Sequence, residues 1–234
     1  DIHDEFYSFY YDNLFFNEDY YKIMTNVYLD CMNNVYNNHL IIGIKHGGHI
    51  NRMIDNTMEV TTISKSKNII KKCNYNYEQY NFKVVEDYSS PYLFDKNKFT
   101  HISIIDDEIY YTKNIQEILS NCYEWLIHKG LLFIQVYDNK HHFKSNMKKL
   151  NSGNDVVKKY VYSSNLQEIK ENDYYLIEKL KSKSNKSKVR KNIHELTFYD
   201  NDYITYICKT LGLHIISTVH IMNNNLFMIY RKVQ

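Results

Sequence analysis

The stretch that decides the reading is Leu40-Ile41-Ile42-Gly43-Ile44-Lys45-His46-Gly47-Gly48-His49-Ile50. Leu40 to Ile44 is a short apolar run rich in β-branched residues, as expected of a strand covered on both faces. Gly43, Gly47 and Gly48 are three of the six glycines in the chain, which marks a tight turn or a close approach of another group to the backbone. Ile50, Met53 and Ile54 then recur at helical spacing. A strand, a glycine turn and a helix start together form a site suited to the polar groups of a nucleotide-like ligand. The same pattern also serves as a plain β-to-α turn.

Working outward, strand-like and helix-like segments alternate. Met58 to Ile63 reads as a second strand, with a helix over Ser64 to Cys73. Phe82 to Glu86 reads as a third strand, ending at Asp87. Phe99 to Ile105 is a fourth, ending at Asp106-Asp107-Glu108. Ile115 to His128 carries an amphipathic helical pattern that Lys129-Gly130 is expected to close. Leu131 to Val136 is a fifth strand. Leu196 to Leu211 reads as a helix capped by Gly212, followed by strands over Leu213 to Ile221 and Leu226 to Tyr230. Alternation of this kind predicts an α/β fold with a mostly parallel sheet and right-handed crossovers. Ligands of such sheets sit beyond the carboxyl ends of the strands, a rule that brings the glycine turn, Ser64, Asp87 and Asp106-Asp107 to one edge.

Two segments fall outside that rhythm. Residues 1–38 are aromatic-rich, with helical spacing from Tyr20 onward, and predict an N-terminal helical segment packed on the domain. Residues 138–195 form an insertion whose run Lys181-Ser182-Lys183-Ser184-Asn185-Lys186-Ser187-Lys188-Val189-Arg190-Lys191 reads as a basic mobile loop. It is either a solvated linker or a contact for an anionic partner such as RNA.

The 234 residues suit one domain over 1–234. A net charge of +2 gives no overall drive toward nucleic acid. No apolar run is long enough to span a bilayer, which predicts no membrane association through a spanning segment. The four cysteines are scattered without a CxxC pair, fitting reduced thiols in an intracellular, cytoplasmic setting. Alanine is absent, while Asn, Lys, Ile and Tyr abound. These are residues of AT-rich codons and point to an AT-rich genome, as in some large DNA viruses and some protozoa; for a viral protein, host cytoplasm or virion would be the location. His46 and His49 lack the partners of a zinc site, and His141-His142 read as exposed.

Three stretches carry a resemblance: Ile42 to Gly48, Lys98 to Asp107, and Leu126 to Ile134. Together with the closing helix and strand pair, they resemble the class I, Rossmann-like S-adenosylmethionine-dependent methyltransferase superfamily over residues 39–137 and 196–232. The resemblance implies a seven-stranded, mostly parallel sheet with helices on both faces and an antiparallel last strand. It implies S-adenosylmethionine as cofactor, held by Gly43, Ile44, Lys45, Gly47, Gly48, Ser64, Asp87 and Asp106. It places Asp106, Asp107 and Tyr110 where methyl-acceptor chemistry occurs, with a divalent cation on the paired aspartates as in some sugar O-methyltransferases. The acceptor would be a small molecule, a sugar or an RNA end, and a protein partner is compatible with the insertion. Gln135 with the glycine stretch also resembles spermidine synthases, which transfer an aminopropyl group. The chain departs from the family pattern twice. Ile41 and Ile42 stand where an acid precedes the glycine turn, and Ser64 stands where a carboxylate holds the ribose. Losing a charge-assisted hydrogen bond costs about 1.5–3 kcal/mol. A protein that kept the fold and lost catalysis is therefore the alternative expectation.

Overall fold

The computed structural model describes residues 4, 6, 8, 17–32, 36–45, 47, 50–54, 58–76, 81–85, 88–146, 159–185 and 187–233. Residues His46, Gly48, His49 and Asp87, singled out from the sequence, lie outside them.

The first described helix, α1 (Glu18–Asp30), opens on Asn17, whose side chain accepts the Tyr20 N–H at 3.0 Å. Glu18 and Asp19 place negative charge against the positive end of the helix dipole. Its buried residues Tyr21, Met24, Thr25 and Tyr28 follow the spacing of one helical face. After it come β1 (Asn37–Ile42), α2 (Ile50–Ile54), β2 (Met58–Ser64), α3 (Lys67–Asn76), β3 (Asn81–Val84), β4 (Phe99–Ile104), α4 (Ile115–Trp125) and β5 (Leu126–Tyr137). Beyond α5 (Lys140–Asn146), the strands β6 (Tyr160–Lys170), β7 (Asp173–Ser182) and β8 (Val189–Thr197) precede α6 (Asn201–Thr210), β9 (Leu213–His220) and β10 (Asn225–Lys232).

Seven strands form one sheet in the order β3-β2-β1-β4-β5-β10-β9. β1 pairs in parallel with β2 and β4, β2 with β3, and β4 with β5. β10 runs antiparallel to both β5 and β9, so the last strand of the chain is inserted between two that run the other way. This is the mostly parallel, Rossmann-like arrangement expected from the sequence.

Side chains alternate across β1. Leu40 and Ile42 join the core on one face, with Ile102, Ile104, Ile118, Leu119 and Trp125. Ile41 joins the core on the other face, with Met24, Tyr28, Ile70, Phe133 and Phe227. Helices α1, α2 and α3 cover that second face, while α4 and α6 cover the first. Phe133 is the hub of the second core: its ring lies 5.1 Å from Tyr28, 6.0 Å from Phe227 and stacks 6.1 Å from His101.

Three expectations need correction. The helix expected to run to His128 ends at Trp125, and Leu126 already belongs to β5. Its last carbonyls are taken by Asn97 N–H (to Glu124) and Lys98 N–H (to Trp125). Gly130 is therefore not a helix cap. It lies within a register shift of the β4–β5 pairing, where a Cβ would stand 3.1 Å from the Thr100 carbonyl oxygen. The helix expected from Leu196 begins only at Asn201, because Leu196 and Thr197 finish β8. Gly212 does close that helix, with φ +89°.

The largest correction concerns the insertion. Much of it is a three-stranded antiparallel sheet, β6-β7-β8, and the basic run is a hairpin connection. Lys181 and Ser182 end β7, and Val189 to Lys191 begin β8. Ser182 N–H donates to Lys188 O and Lys188 N–H to Asn185 O, so the connection is hydrogen-bonded, not an open loop. Tyr174, Leu176 and Leu196 of this small sheet belong to the same core as β1, β4 and α4, packed near Phe143, Tyr110 and Phe198.

Truncating Phe133 to alanine should cost about 3–5 kcal/mol of unfolding free energy, as for a fully buried aromatic ring, measured by urea denaturation. A loss under about 1 kcal/mol would show that the ring is not a hub.

Candidate functional site

The sheet order reverses direction at β1, between β2 and β4, and the tips of these strands define the candidate site. Gly43 leaves β1 with φ +92°, a conformation that favours glycine. A Cβ there would fall on Glu108 Cβ and 2.7 Å from the Ile105 carbonyl oxygen. The glycine is thus required by a close approach, and what approaches is the turn that follows β4. Gly47 follows with φ +76° and receives the Ile50 N–H on its carbonyl at 3.1 Å.

That second turn is unusual. Asp106 and Asp107 are both left-handed, with φ +53° and +65°, ahead of a short 3-10 helix over Glu108–Tyr111. Consecutive left-handed residues aim the two carboxylates at different partners. Asp106 accepts the Lys45 N–H at 2.9 Å and the Tyr21 hydroxyl at 3.2 Å. Its own N–H donates to Gln135 Oε1 at 2.6 Å, and Gln135 is held in turn by Asn225 at 3.1 Å. Asp107 faces the Lys45 ammonium at 3.9 Å and the Tyr137 phenol. Lys45, only 6% exposed, lies with its ammonium 4.9 Å over the Tyr111 ring.

Electrostatics follow from this geometry. Burial raises the Asp107 and Glu108 carboxyls above the usual carboxylate range, and the Lys45 charge offsets only part of that rise. Burial alone would push the Lys45 ammonium down, but Tyr111, Asp107, Asp106 and Glu108 together raise it, so Lys45 stays charged. The block is one ammonium among three carboxyl groups.

The described residues expected to touch a cofactor are Gly43, Ile44, Lys45, Gly47, Ser64 and Asp106. All are buried by the protein itself. Ser64, at the tip of β2, accepts the Ser66 N–H at 3.2 Å, and its hydroxyl thus serves a local turn. Tyr110, expected to be catalytic, is a core residue. Its ring stacks with Tyr137 and Phe198, and its hydroxyl accepts the Tyr137 N–H at 2.8 Å. Among the described residues, no group of three or more His, Cys, Asp or Glu side chains has the geometry to hold a metal ion. The Lys45 ammonium is the cation beside Asp107.

Among the described residues, two clefts flank this block. One, of about 410 Å³, lies at the tips of β2 and β3 and is lined by Lys65, Tyr88, Ser89, Tyr111, Asn114 and Glu117 among others. The other, of about 480 Å³, lies between the small sheet and the β4 turn, with Tyr110, Tyr111, Tyr174, Tyr175, Thr197 and Tyr199 among its walls. Both volumes fall in the range of small-molecule sites. Tyr111 borders both. Its hydroxyl is 3.0 Å from His194 Nδ1, and His194 Nε2 is 2.7 Å from Glu178 Oε2. Neither His194 nor Glu178 was marked by the sequence, because each sits on a different strand of the insertion.

No family model matches the sequence, and no curated protein matches it. Solved structures match in fold. A S-adenosylmethionine-dependent methyltransferase from Clostridium acetobutylicum superposes with a TM-score of 0.70 at 13% identity, covering 92% of this chain and 91% of that one. An amino pentose methyltransferase of Micromonospora echinaspora, solved with S-adenosylmethionine bound, gives 0.61 at 9% identity over 92% and 91%. A Haloferax volcanii methyltransferase in complex with a methyltransferase activator gives 0.62 at 12% over 93% and 92%. The chain has the class I methyltransferase fold, with helices on both faces of the sheet.

Lys45→Ala would remove the ammonium beside Asp107 and one of the two lysine charges that offset Glu108, and a loss on the order of 3 kcal/mol is expected at neutral pH. Because the folded state raises Asp107 and Glu108, it binds protons more tightly than the unfolded chain. Stability therefore falls as pH rises from the unfolded carboxylate pKa, about 4, toward the raised folded values. Removing Lys45 raises those values further, so the deficit should be small near pH 4 and grow toward pH 7. Urea titrations of both proteins across that range check it, and a pH-independent deficit would contradict the charge account.

Proposed function

We propose that this chain keeps the methyltransferase fold as a scaffold, holds the ordinary cofactor crevice shut with its own side chains, and acts by binding rather than by methyl transfer. The observation that carries the reading is the packing of Glu108 against Gly43, with Asp106 pinning the Lys45 N–H and the Lys45 ammonium filling the gap toward Asp107. The donor set agrees. At the tip of β2, where a carboxylate would accept ribose hydroxyls, Ser64 is engaged by Ser66 and the next residue is the cation Lys65. Glu108 and Lys45 occupy the space beside Gly43, a placement that disfavours S-adenosylmethionine there, so no methyl-transfer step is derived through it. The ligand of a binding protein of this kind would be a small molecule in one of the two clefts, or a protein partner, as the activator complex of the structural neighbour illustrates for that protein.

One observation favours the alternative, methyl transfer to a small-molecule or RNA acceptor. The cleft of about 410 Å³ at the β2 and β3 tips lies at the strand edge where nucleotide ligands of such sheets sit. That reading requires Lys45 and Glu108 to withdraw. Aminopropyl transfer would require the same.

Thermal unfolding with S-adenosylmethionine or S-adenosylhomocysteine separates the two. Binding at 100 times the dissociation constant stabilises a fold by about 2.7 kcal/mol, several degrees for a chain of this size. The closed crevice predicts no shift for the native chain at millimolar cofactor. A saturable shift would overturn the proposal and establish an opening crevice.

A further inference from the structure

Behind Tyr111, a wall of the second cleft, lies a buried pair that the scaffold reading leaves unused. Glu178 on β7 and His194 on β8 lie on the inner face of the small sheet, with side chains 3% and 2% exposed. The Tyr162 hydroxyl donates to Glu178 Oε1 at 2.6 Å. A carboxylate accepts only, so His194 Nε2, 2.7 Å from Glu178 Oε2, carries the hydrogen of that contact. In the neutral imidazole this makes Nδ1 the acceptor, and the Tyr111 hydroxyl, 3.0 Å away, donates to it. Carboxylate, imidazole and hydroxyl thus stand in the order in which a base is oriented by a third group and acts on the first.

A buried carboxylate–imidazole pair adds little to stability, because desolvation offsets much of its attraction. A hairpin register could be fixed by apolar residues at those positions. The third member lies elsewhere: Tyr111 comes from the β4 turn of the large sheet and borders the cleft. The Lys45 ammonium lies 4.9 Å over its ring, a placement that favours negative charge on the phenol oxygen, with Asp107 behind that ammonium. The charged groups of the cleft walls are paired with one another, Lys113 with Glu195 at 2.8 Å and Lys170 with Asp173 at 2.9 Å. The remaining walls are largely tyrosine rings, which suit a flat aromatic ligand.

We propose that Tyr111, His194 and Glu178 form a proton relay, and that this cleft binds a small aromatic hydroxyl compound and takes its proton. The ligand O–H bond breaks and its electron pair stays on the ligand oxygen. The proton joins the Tyr111 oxygen as the Tyr111 proton passes to His194 Nδ1, and the resulting imidazolium is held by Glu178. One proton moves from ligand to histidine, and no other reactant is needed. Tyr111 touches the ligand, whereas His194 and Glu178 act through it as positioning residues. The relay rests on the scaffold reading only through the Lys45 contact with the Tyr111 ring; a thermal shift with S-adenosylmethionine would remove that contact, while the Tyr111–His194–Glu178 hydrogen bonds lie outside the crevice and are tested by the probe.

The probe is 4-nitrophenol, a flat phenol whose ionised form is coloured. Bound to the native chain, it should show an ionised-to-neutral ratio about tenfold above that of the free probe at the same pH, one pKa unit. Tyr111→Phe keeps the ring and its packing, and should return the ratio to the free value while the probe still binds. His194→Asn should do the same, and Glu178→Gln should lose part of the effect. Since the buried pair is also structural, the native chain supplies a second measurement by NMR of nitrogen-labelled histidine. His194 should carry its proton on Nε2 and become doubly protonated when the probe binds. An unshifted or unbound probe, an unchanged effect in Tyr111→Phe, or a neutral His194 in the complex would each overturn the proposal.

Discussion

The structure depends on a single problem of charge burial. Asp106, Asp107 and Glu108 are brought together at the tip of the fourth strand, where burial disfavours the ionised forms of Asp107 and Glu108. Lys45 is the cation that makes this tolerable. At 3.9 Å, and at the effective dielectric near a protein surface, its attraction to Asp107 is about 4 kcal/mol before desolvation is counted. Desolvating each ion costs several kcal/mol, and the Asp106 and Glu108 charges add to the field that keeps Lys45 charged beside Asp107. The turn after β1 and the turn after β4 are therefore joined by charge as well as by packing. Gly43 is the residue that lets them meet.

Topology explains why this joint lies where it does. In an open, mostly parallel sheet, the point where strand order reverses leaves a gap between neighbouring βα turns. Here β1 lies between β2 and β4, so the gap opens beside Gly43, Ser64 and Asp106. A cofactor would have to supply polar groups for the backbone donors there. In this chain Asp106 satisfies the Lys45 N–H and Ser64 satisfies the Ser66 N–H. These two donors of the switch point are met from within the chain.

How much of this the sequence disclosed follows from which contacts are local. β1 and β5 were legible because strands buried on both faces read as continuous apolar runs. The closing helix was legible from Gly212, whose positive φ marks a helix end. Gly130 misled, since a glycine after an amphipathic segment resembles a cap, whereas a close approach inside a strand leaves the same local trace. The small sheet was hidden for a different reason. Its inner face places Glu178, His194, Asn192 and Arg190 at positions where alternation predicts apolar residues. Each is acceptable only through a partner elsewhere: Glu178 through His194 and Tyr162, Arg190 through Asn192 and Asp4. No single strand shows that. The excess of Lys and Asn then made the hairpin connection look like a solvated loop.

The pair Tyr110-Tyr111 shows what residue type alone cannot decide. Two adjacent tyrosines in a 3-10 turn point in different directions, and only the turn determines which joins the aromatic stack and which reaches the histidine. Tyr110 enters the aromatic stack with Tyr137 and Phe198 and gives its hydroxyl oxygen to a strand N–H. Tyr111 is left between the two sheets, with Lys45 over its ring and His194 at its hydroxyl. The placement of Lys45 and the surroundings of Tyr111 are thus one arrangement. The ammonium that compensates the buried carboxyl groups also packs on the ring whose hydroxyl meets the histidine. A lysine extended into solvent would leave the carboxyl groups unpaired and remove that contact from the ring.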